Sequence, residues 1–360
     1  MANYYHSTKN YVGKNWGTND GIMDVGFLKG SSLFDFNTHT FTTGGGTGTS
    51  GVAHSTFVSA YVSGGASWAN NTNYFTSGEY TGFQKWTVPE TANYRFVVRG
   101  ASGGLNRYWQ GQGGSSFNQY YGAEITADLS LTQGTLIQMI VGHKGEDAGQ
   151  HYYIVNNSNE GDNAAAGGGG ASWVFYNTSD TNPLFVAGAG AGGSKNSGQS
   201  TGNASLSTSG NNKQDGAALG GVSGNGGRSN AGGSSYWSAA GAGWLTNGTG
   251  GNQSTNYNSS PGSQGANGGK APRNNGTGGA RGNDGTDSGG SGGFGGGGGG
   301  YSDNTGTGGG AGYSGGAGSN SSPANGAGGG GGTYSTTSAT NVSTVLRNTH
   351  GDGSISITKL

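Results

Sequence analysis

Cysteine is missing from this chain and proline nearly so: 360 residues contain no Cys and 5 Pro. The first absence excludes disulfides, thiolate metal sites, iron–sulfur clusters and thiol nucleophiles. The second, with no strict triplet of glycines, excludes a collagen triple helix. Charge is scarce as well. Asp, Glu, Lys and Arg make up 9%, sixteen basic residues against seventeen acidic, for a net charge of −1. No basic field therefore draws the chain to a phosphate backbone, and nucleic acid is not an expected partner. Apolar residues reach only 29% and nowhere form the run of roughly 18 that a membrane helix needs, so no membrane insertion is expected. The opening Met-Ala-Asn-Tyr-Tyr-His has no basic stretch leading into an apolar one, which sets the expectation of a protein made without a secretion signal.

What the chain does have is glycine, 85 in all, with 7 Trp, 18 Tyr and 12 Phe. The glycines are unevenly spread: 57 fall in the 166 residues from Gly167 to Gly332, and 28 in the other 194. The leaner part reads as β-structure with very little α-helix, because short β-branched and aromatic segments are bounded by Gly, Asn and Pro. Phe83–Val88 and Tyr94–Arg99, separated by Pro89 and a polar turn, predict an antiparallel pair. Residues 123–129 alternate, placing Ala123, Ile125, Ala127 and Leu129 on one face. Further strands are predicted at 136–141, 172–176 and 184–187, and a last one at 354–358 with Ile355 and Ile357 inward. A final strand returning to an early sheet would make the glycine block an insertion pinned at both ends. Residues 1–40 carry Trp16, Ile22, Val25, Phe27, Leu28, Leu33 and Phe34, too apolar for a solvated arm, and are expected to pack on the sandwich or on another subunit.

Two descriptions of the glycine block compete. A flexible Gly/Ser linker rarely carries rings such as Trp237, Trp244, Phe294, Tyr301, Tyr313 and Tyr334. A bundle of glycine polyproline-II helices uses them at its edges. Polyproline-II has three residues per turn, about 3.1 Å of rise and no internal hydrogen bonds, so its amides must bond to neighbouring strands. Only glycine lets backbones approach that closely. Ordering each glycine costs on the order of 1–2 kcal/mol, so a lone strand cannot hold and many must bond to several neighbours at once.

The ordered blocks Phe41-Thr42-Thr43-Gly44, Gln84–Pro89, Gly100–Gly104, Ile140–Ala148 (IVGHKGEDA), Ala166–Phe175, Pro183–Gly190, Gly292–Tyr301 and Gly351-Asp352-Gly353 resemble the extracellular glycine-rich region of the anaplastic lymphoma kinase and leukocyte tyrosine kinase receptors. The resemblance spans about residues 41–360. It implies an all-β fold: a tumour-necrosis-factor-like or jelly-roll β-sandwich with an inserted bundle of glycine-rich polyproline-II helices. The chain departs from those receptors in having no cysteine, membrane span or kinase region. It is also similar to the glycine-rich modules of phage tail-fibre adhesins, in which polyglycine helices carry loops that touch the bacterial surface. That second resemblance implies a virion protein, assembled in the host cytoplasm and exposed on the released particle.

Little in the sequence suggests reaction chemistry. The six histidines follow no HxxxH or HExxH spacing, and no zinc site is expected. His143 could pair with Glu146 or Asp147 as a base, but a loop carboxylate bonding backbone amides explains those residues better. Asn283–Asp287 is one copy of a calcium-repeat-like run without the tandem array such sites need. A surface depolymerase would need two carboxylates paired on a sheet, which Glu79, Glu90, Glu124, Glu146 and Glu160 cannot be shown to form from sequence alone. Tyr and Trp among Ser, Gly and Asn is instead the composition of a recognition loop. Receptor-binding candidates are Tyr108, Trp109, Tyr236, Trp237, Trp244 and Tyr257, with gap-filling at the lattice edge as the competing role.

The resulting expectation is an attachment segment at 1–40, a sandwich at 41–166, a glycine bundle at 167–345 and a returning strand at 346–360. No catalytic, cofactor or metal residue is expected. The expected role is a tail-fibre or tail-tip adhesin binding a bacterial surface glycan or outer-membrane receptor, held to other virion proteins and trimeric by analogy. A structural virion component without receptor contact and a surface glycan depolymerase are the alternatives.

Overall fold

Side chains alternate across a strand, so a strand covered on one face reads differently from one covered on both. A computed structural model describes residues 31–105, 119–148, 165–193, 200–213, 216, 218–229, 238–251, 265–282, 289–301, 306–319 and 326–360. The unit Ser32–Leu360 carries every element below. Among the described residues the chain is all-β apart from one α-helix and three short 3₁₀ turns. Its strands are β1 Thr38–Phe41, β2 Phe75–Ser77, β3 Gln84–Thr87, β4 Ala92–Arg99, β5 Ala123–Leu131, β6 Leu136–Ile140, β7 Ser172–Phe175, β8 Phe185–Ala187, β9 Tyr334–Ser335, β10 Thr340–Leu346 and β11 Ser354–Lys359. The helix, α1, is His54–Ser63.

Two antiparallel sheets result, in the orders β1-β11-β4-β5-β10 and β2-β3-β6-β7-β8-β9. Between them lies a core of Phe41, Trp86, Tyr94, Phe96, Val98, Ile125, Ala127, Leu129, Ile137, Met139, Val174, Phe185, Ile355 and Ile357. In the first sheet only one face is apolar, and its outer face carries the pairs Arg95–Asp128 and Arg99–Glu124. In the second sheet β7 and β8 are buried throughout. Val174 and Phe185 point into the sandwich, whereas Trp173, Phe175 and Val186 point to the opposite face, where a second cluster forms with Phe83, Ile140, Trp244, Phe294 and Ala311. The glycine-rich segments cover that outer face.

Three sequence expectations need correction. Segments 83–88 and 94–99 do form strands, but β3 pairs with β2 and β6 while β4 pairs with β11 and β5. The turn at Pro89 therefore crosses between sheets, and Trp86 meets Tyr94 through the interior, ring centres 5.7 Å apart. The sandwich does not begin at 41: β1 starts at Thr38 and pairs with β11, and Phe34 stacks on Tyr74 at 4.5 Å. The glycine bundle is not one block over 167–345 either, because β7, β8, β9 and β10 lie inside that range. β8 and β9 are antiparallel neighbours, so residues 188–333 are the connection of a single hairpin. β11 does return to the early strands, with Ile355 and Ile357 fully buried. The helix α1 was not anticipated; it buries Phe57 and Tyr61, one turn apart on one face.

Candidate functional site

The glycine segments are held by main-chain hydrogen bonds that rotate among neighbours. Residues 306–313 show the arrangement in full. Gly308 and Ala311 donate to the carbonyls of Ala166 and Gly169, Gly309 and Gly312 to Ala239 and Ala242, and Gly310 and Tyr313 to Gly329 and Gly332. The carbonyls of Gly308 and Ala311 accept from Gly192 and Ala189, those of Thr307 and Gly310 from Ser319 and Gly316, and those of Gly306 and Gly309 from Tyr301 and Gly298. All twelve bonds measure 2.8–3.1 Å. Each neighbour recurs every third residue; the three segments donated to run parallel and the three accepted from run antiparallel. One segment thus has both its donors and its acceptors met without belonging to a sheet, which answers the demand of buried backbone for partners.

Glycine is required by this closeness. A methyl group on Gly308 would run into the Gly298 carbonyl, one on Gly309 into that of Gly316, and one on Gly310 into that of Ala189. The reversals at 294–296 need more, since Gly295 and Gly296 both have φ of +96°.

Direction follows from register. Residues 100–105, 141–148 and 188–193 lead outward from β4, β6 and β8, while 119–122, 165–171 and 326–333 lead back into β5, β7 and β9. Between them the chain reverses at 205–208, 222–224, 244–246, 272–275, 294–296 and 313–315. These reversals lie on the sheet side, and the last four are fastened there by side chains. Trp244 is 0% exposed, 5.3 Å from the Phe175 ring, and its indole N–H donates to the Asp180 carbonyl at 2.9 Å. Arg273 lies over the Trp244 ring at 5.7 Å, and the Tyr80 hydroxyl donates to its carbonyl. Phe294 contacts Phe83, and Tyr313 stacks on Tyr334 at 4.5 Å.

All the remaining connections are rooted at the other end. There Ala148 bonds Leu105, Gly193 bonds Gly104, Ala165 and Tyr301 bond Tyr301 and Gly306, Gly251 bonds Ala266, Gly289 bonds Gly282, Gly318 bonds Arg228, Ser319 bonds Thr307 and Lys213 bonds Ala218. The described residues that flank 106–118, 149–164, 194–199, 214–217, 230–237, 252–264, 283–288, 302–305 and 320–325 all stand at this one end. In sequence these stretches are rich in Asn, Ser, Gln and Tyr and include Tyr108, Trp109, Tyr152, Tyr153, Tyr236, Trp237 and Tyr257. This end of the bundle is the candidate site.

Of the six receptor-binding candidates, Tyr108, Trp109, Tyr236, Trp237 and Tyr257 lie outside the described residues, as does the calcium-like run Asn283–Asp287 apart from its flanks. Trp244 is corrected: it is a buried fastener of a sheet-side reversal, and the gap-filling role applies to it. The physical reason is that the outer face of β7 is apolar and needs a cover. Sequence inspection missed the other fasteners. Trp244, Pro272, Phe294 and Tyr313 stand 28, 22 and 19 residues apart, a spacing of bulky residues that could have marked these reversals.

The conspicuous GHKGEDA run serves the bundle too. Asp147 accepts from the Leu105 N–H at 2.8 Å and the Lys144 ammonium at 2.6 Å, Glu146 from the Ser291 N–H at 2.9 Å, and Asp352 from the Lys144 N–H at 2.7 Å. His143 is buried, donates from Nδ1 to the Gly48 carbonyl at 3.1 Å, and has its pKa lowered by burial, against the opposing charge of Asp352. The other described glutamates are likewise engaged: Glu79 with the Thr178 hydroxyl, Glu90 with Lys359 and Glu124 with Arg99. Among the described residues no cluster of three or more His, Asp or Glu is placed to hold a metal ion, and no helix is long and apolar enough to cross a membrane. No protein-family model matches the chain.

Proposed function

We propose that this chain is a phage adhesin of the tail-fibre or tail-tip kind, in which a β-sandwich and a glycine bundle hold recognition loops toward the host surface. One observation carries this reading: the connections between glycine segments are rooted at the bundle end remote from the fastened reversals, and five of the six aromatic candidates belong to them. A three-residue recurrence of hydrogen bonds is the period of polyproline-II, so we assign the segments to glycine polyproline-II helices. Such a support presents loops without letting them collapse on it, because its own backbone groups are already paired. Rigid aromatic area among Ser, Asn and Gln suits a polar, irregular target, and aromatic faces stack on sugars; a bacterial surface glycan is the ligand class proposed. The tumour-necrosis-factor-like topology, a trimer and virion location belong to the same proposal.

The test is adsorption of the purified protein to a panel of bacterial cells and to immobilised lipopolysaccharide. Trp109→Ala, Trp237→Ala and Tyr257→Ala, singly and together, should weaken binding at least tenfold with unchanged thermal unfolding. Binding that is indifferent to all three would overturn the loop assignment. Antibody labelling of mature particles along a shaft or shell instead of the tail tip would favour a structural virion component, and release of oligosaccharide from host envelope would favour a depolymerase.

A further inference from the structure

Three imidazoles meet on one interface, far from the loop-bearing end. On one side is the stretch 42–63, comprising the turn after β1 and helix α1; on the other are the sandwich and the glycine segments at Gly278 and Phe294. His39 on β1 faces the helix, its ring 4.5 Å from Tyr61, 4.7 Å from Phe41 and 5.1 Å from Trp68. His54 opens α1, 4.8 Å from the Phe75 ring. His143 lies under the turn, bonded to the Gly48 carbonyl and 5.3 Å from Phe294. Nε2 of His39 and both ring nitrogens of His54 are buried without a hydrogen-bond partner. A neutral imidazole survives there at modest cost; an imidazolium among rings with no acceptor does not.

The surroundings offer little to hold a positive charge. Beside His39 the titratable group is Tyr61, which burial pushes up to about 12 and so keeps neutral. The first turn of α1 has no acidic residue near His54, and a helix N-terminus repels a cation. Asp352 favours a charged His143, but burial outweighs it. Two further bonds of the stretch are indifferent to mild acid: the Tyr61 hydroxyl donates to Gln84 Oε1 at 2.6 Å, and the Gln84 amide donates to the Thr42 carbonyl at 3.0 Å. A third, from the Thr43 hydroxyl to Asp352 Oδ2 at 3.4 Å, ends on a carboxylate. The stretch also joins sandwich to bundle, since the carbonyls of Gly48 and Thr49 accept from Phe294 and Gly278.

We propose that residues 42–63 form an acid-released strap: protonation of His39, His54 and His143 expels the stretch from the sandwich and withdraws the Gly48 and Thr49 carbonyls from the glycine segments at Phe294 and Gly278. Burial lowers the pKa of all three rings, that of His39 to about 4, so the strap stays shut at neutral pH and opens on strong acidification. Opening at several sites together makes the response steeper than one histidine could.

Amide hydrogen exchange followed by mass spectrometry from pH 7 to pH 4, corrected for the intrinsic rate, tests this on the intact chain. Peptides within 42–63 should lose at least tenfold in protection while β4 and β5 keep theirs. His39→Phe combined with His54→Phe, which retains ring shape without a titrating group, should shift the loss downward by at least one pH unit. Equal protection of 42–63 at both ends of the range, simultaneous loss in β4 and β5, or an unshifted profile in the double variant would overturn the strap. Should the double variant not fold, imidazole proton titration by NMR in the unaltered protein decides: His39 and His143 both titrating near 6.5 would refute the proposal, and both titrating below pH 5.5 would sustain it.

Discussion

The indole of Trp244 lies 6.0 Å from the indole of Trp173, centre to centre, one ring from a glycine reversal and the other from the outer face of β7. Through this contact a segment with almost no side chains of its own acquires a fixed position. Backbone bonds give the bundle lateral order, but they repeat every three residues and leave sliding along the segment axis unopposed. Bulky side chains at the reversals remove that freedom.

Trp244→Ala should therefore destabilise the fold by about 3–5 kcal/mol, as truncation of a fully buried large ring does. Denaturant unfolding monitored by circular dichroism measures it. Any accompanying loss of the proposed host binding should be recovered at low temperature or with osmolyte, whereas a contact residue in a loop would show no such recovery. A cost below about 1 kcal/mol would mean that the reversals are held by their main-chain bonds alone.

Glycine at the centre of the bundle should be irreplaceable even by alanine. Gly310→Ala pushes a methyl into the Ala189 carbonyl, where both neighbours are backbone and cannot rotate aside. We expect a loss of about 3 kcal/mol or more, at the upper end for overpacked sites. Gly250→Ala is the control: its nearest neighbour is the Ala266 carbonyl at 3.4 Å, ordinary contact, and stability should change by less than about 0.5 kcal/mol. Equal effects in the two variants would contradict the close-packed arrangement.

Much of the sandwich was legible because it rests on a period of two. Ala123, Ile125, Ala127 and Leu129 announce one buried face, and they are buried. Pairing was less legible: Phe83–Val88 and Tyr94–Arg99 read as a hairpin because a short turn joins them, yet both adjacent strands can bury more by crossing to opposite sheets, and sequence alone does not weigh that alternative. Strand β10 escaped notice since most of its residues are exposed and no alternation marks it. At the candidate site, composition pointed to Trp244 as readily as to Trp237. Nothing local distinguishes a ring that covers β7 from one in a connection; the difference comes from which end of the bundle each occupies, and that is set by bonds between residues far apart in the chain.

Exchange of the bundle amides should be slow and cooperative. Within 306–313 each N–H goes to a different segment from its neighbour's, so this segment cannot detach without breaking bonds to six others. Peptides covering 165–171, 289–301 and 306–319 should share one opening free energy, close to that of β4 and β5. Rapid exchange through 306–313 in the native protein would show a flexible tether and remove the support that the proposed recognition loops require.

Acid should weaken the fold through His39, and the direction is fixed by its burial. In the unfolded chain this ring titrates near 6.5, and in the folded protein at about 4. Between those values the unfolded state binds more protons, so stability rises with pH: the contribution is fully present above about 6.5 and declines as pH falls toward 4. A shift of this size corresponds to at most about 3 kcal/mol, and partial solvent access to the ring brings it nearer 2. His39→Phe should flatten the stability profile between pH 7 and 4 by that amount while leaving stability at pH 7 within about 1 kcal/mol, since the aromatic contacts with Phe41, Tyr61 and Trp68 are kept. Unfolding curves at half-unit pH intervals for both proteins would reveal it, and parallel profiles would mean that His39 titrates alike in the folded and unfolded states.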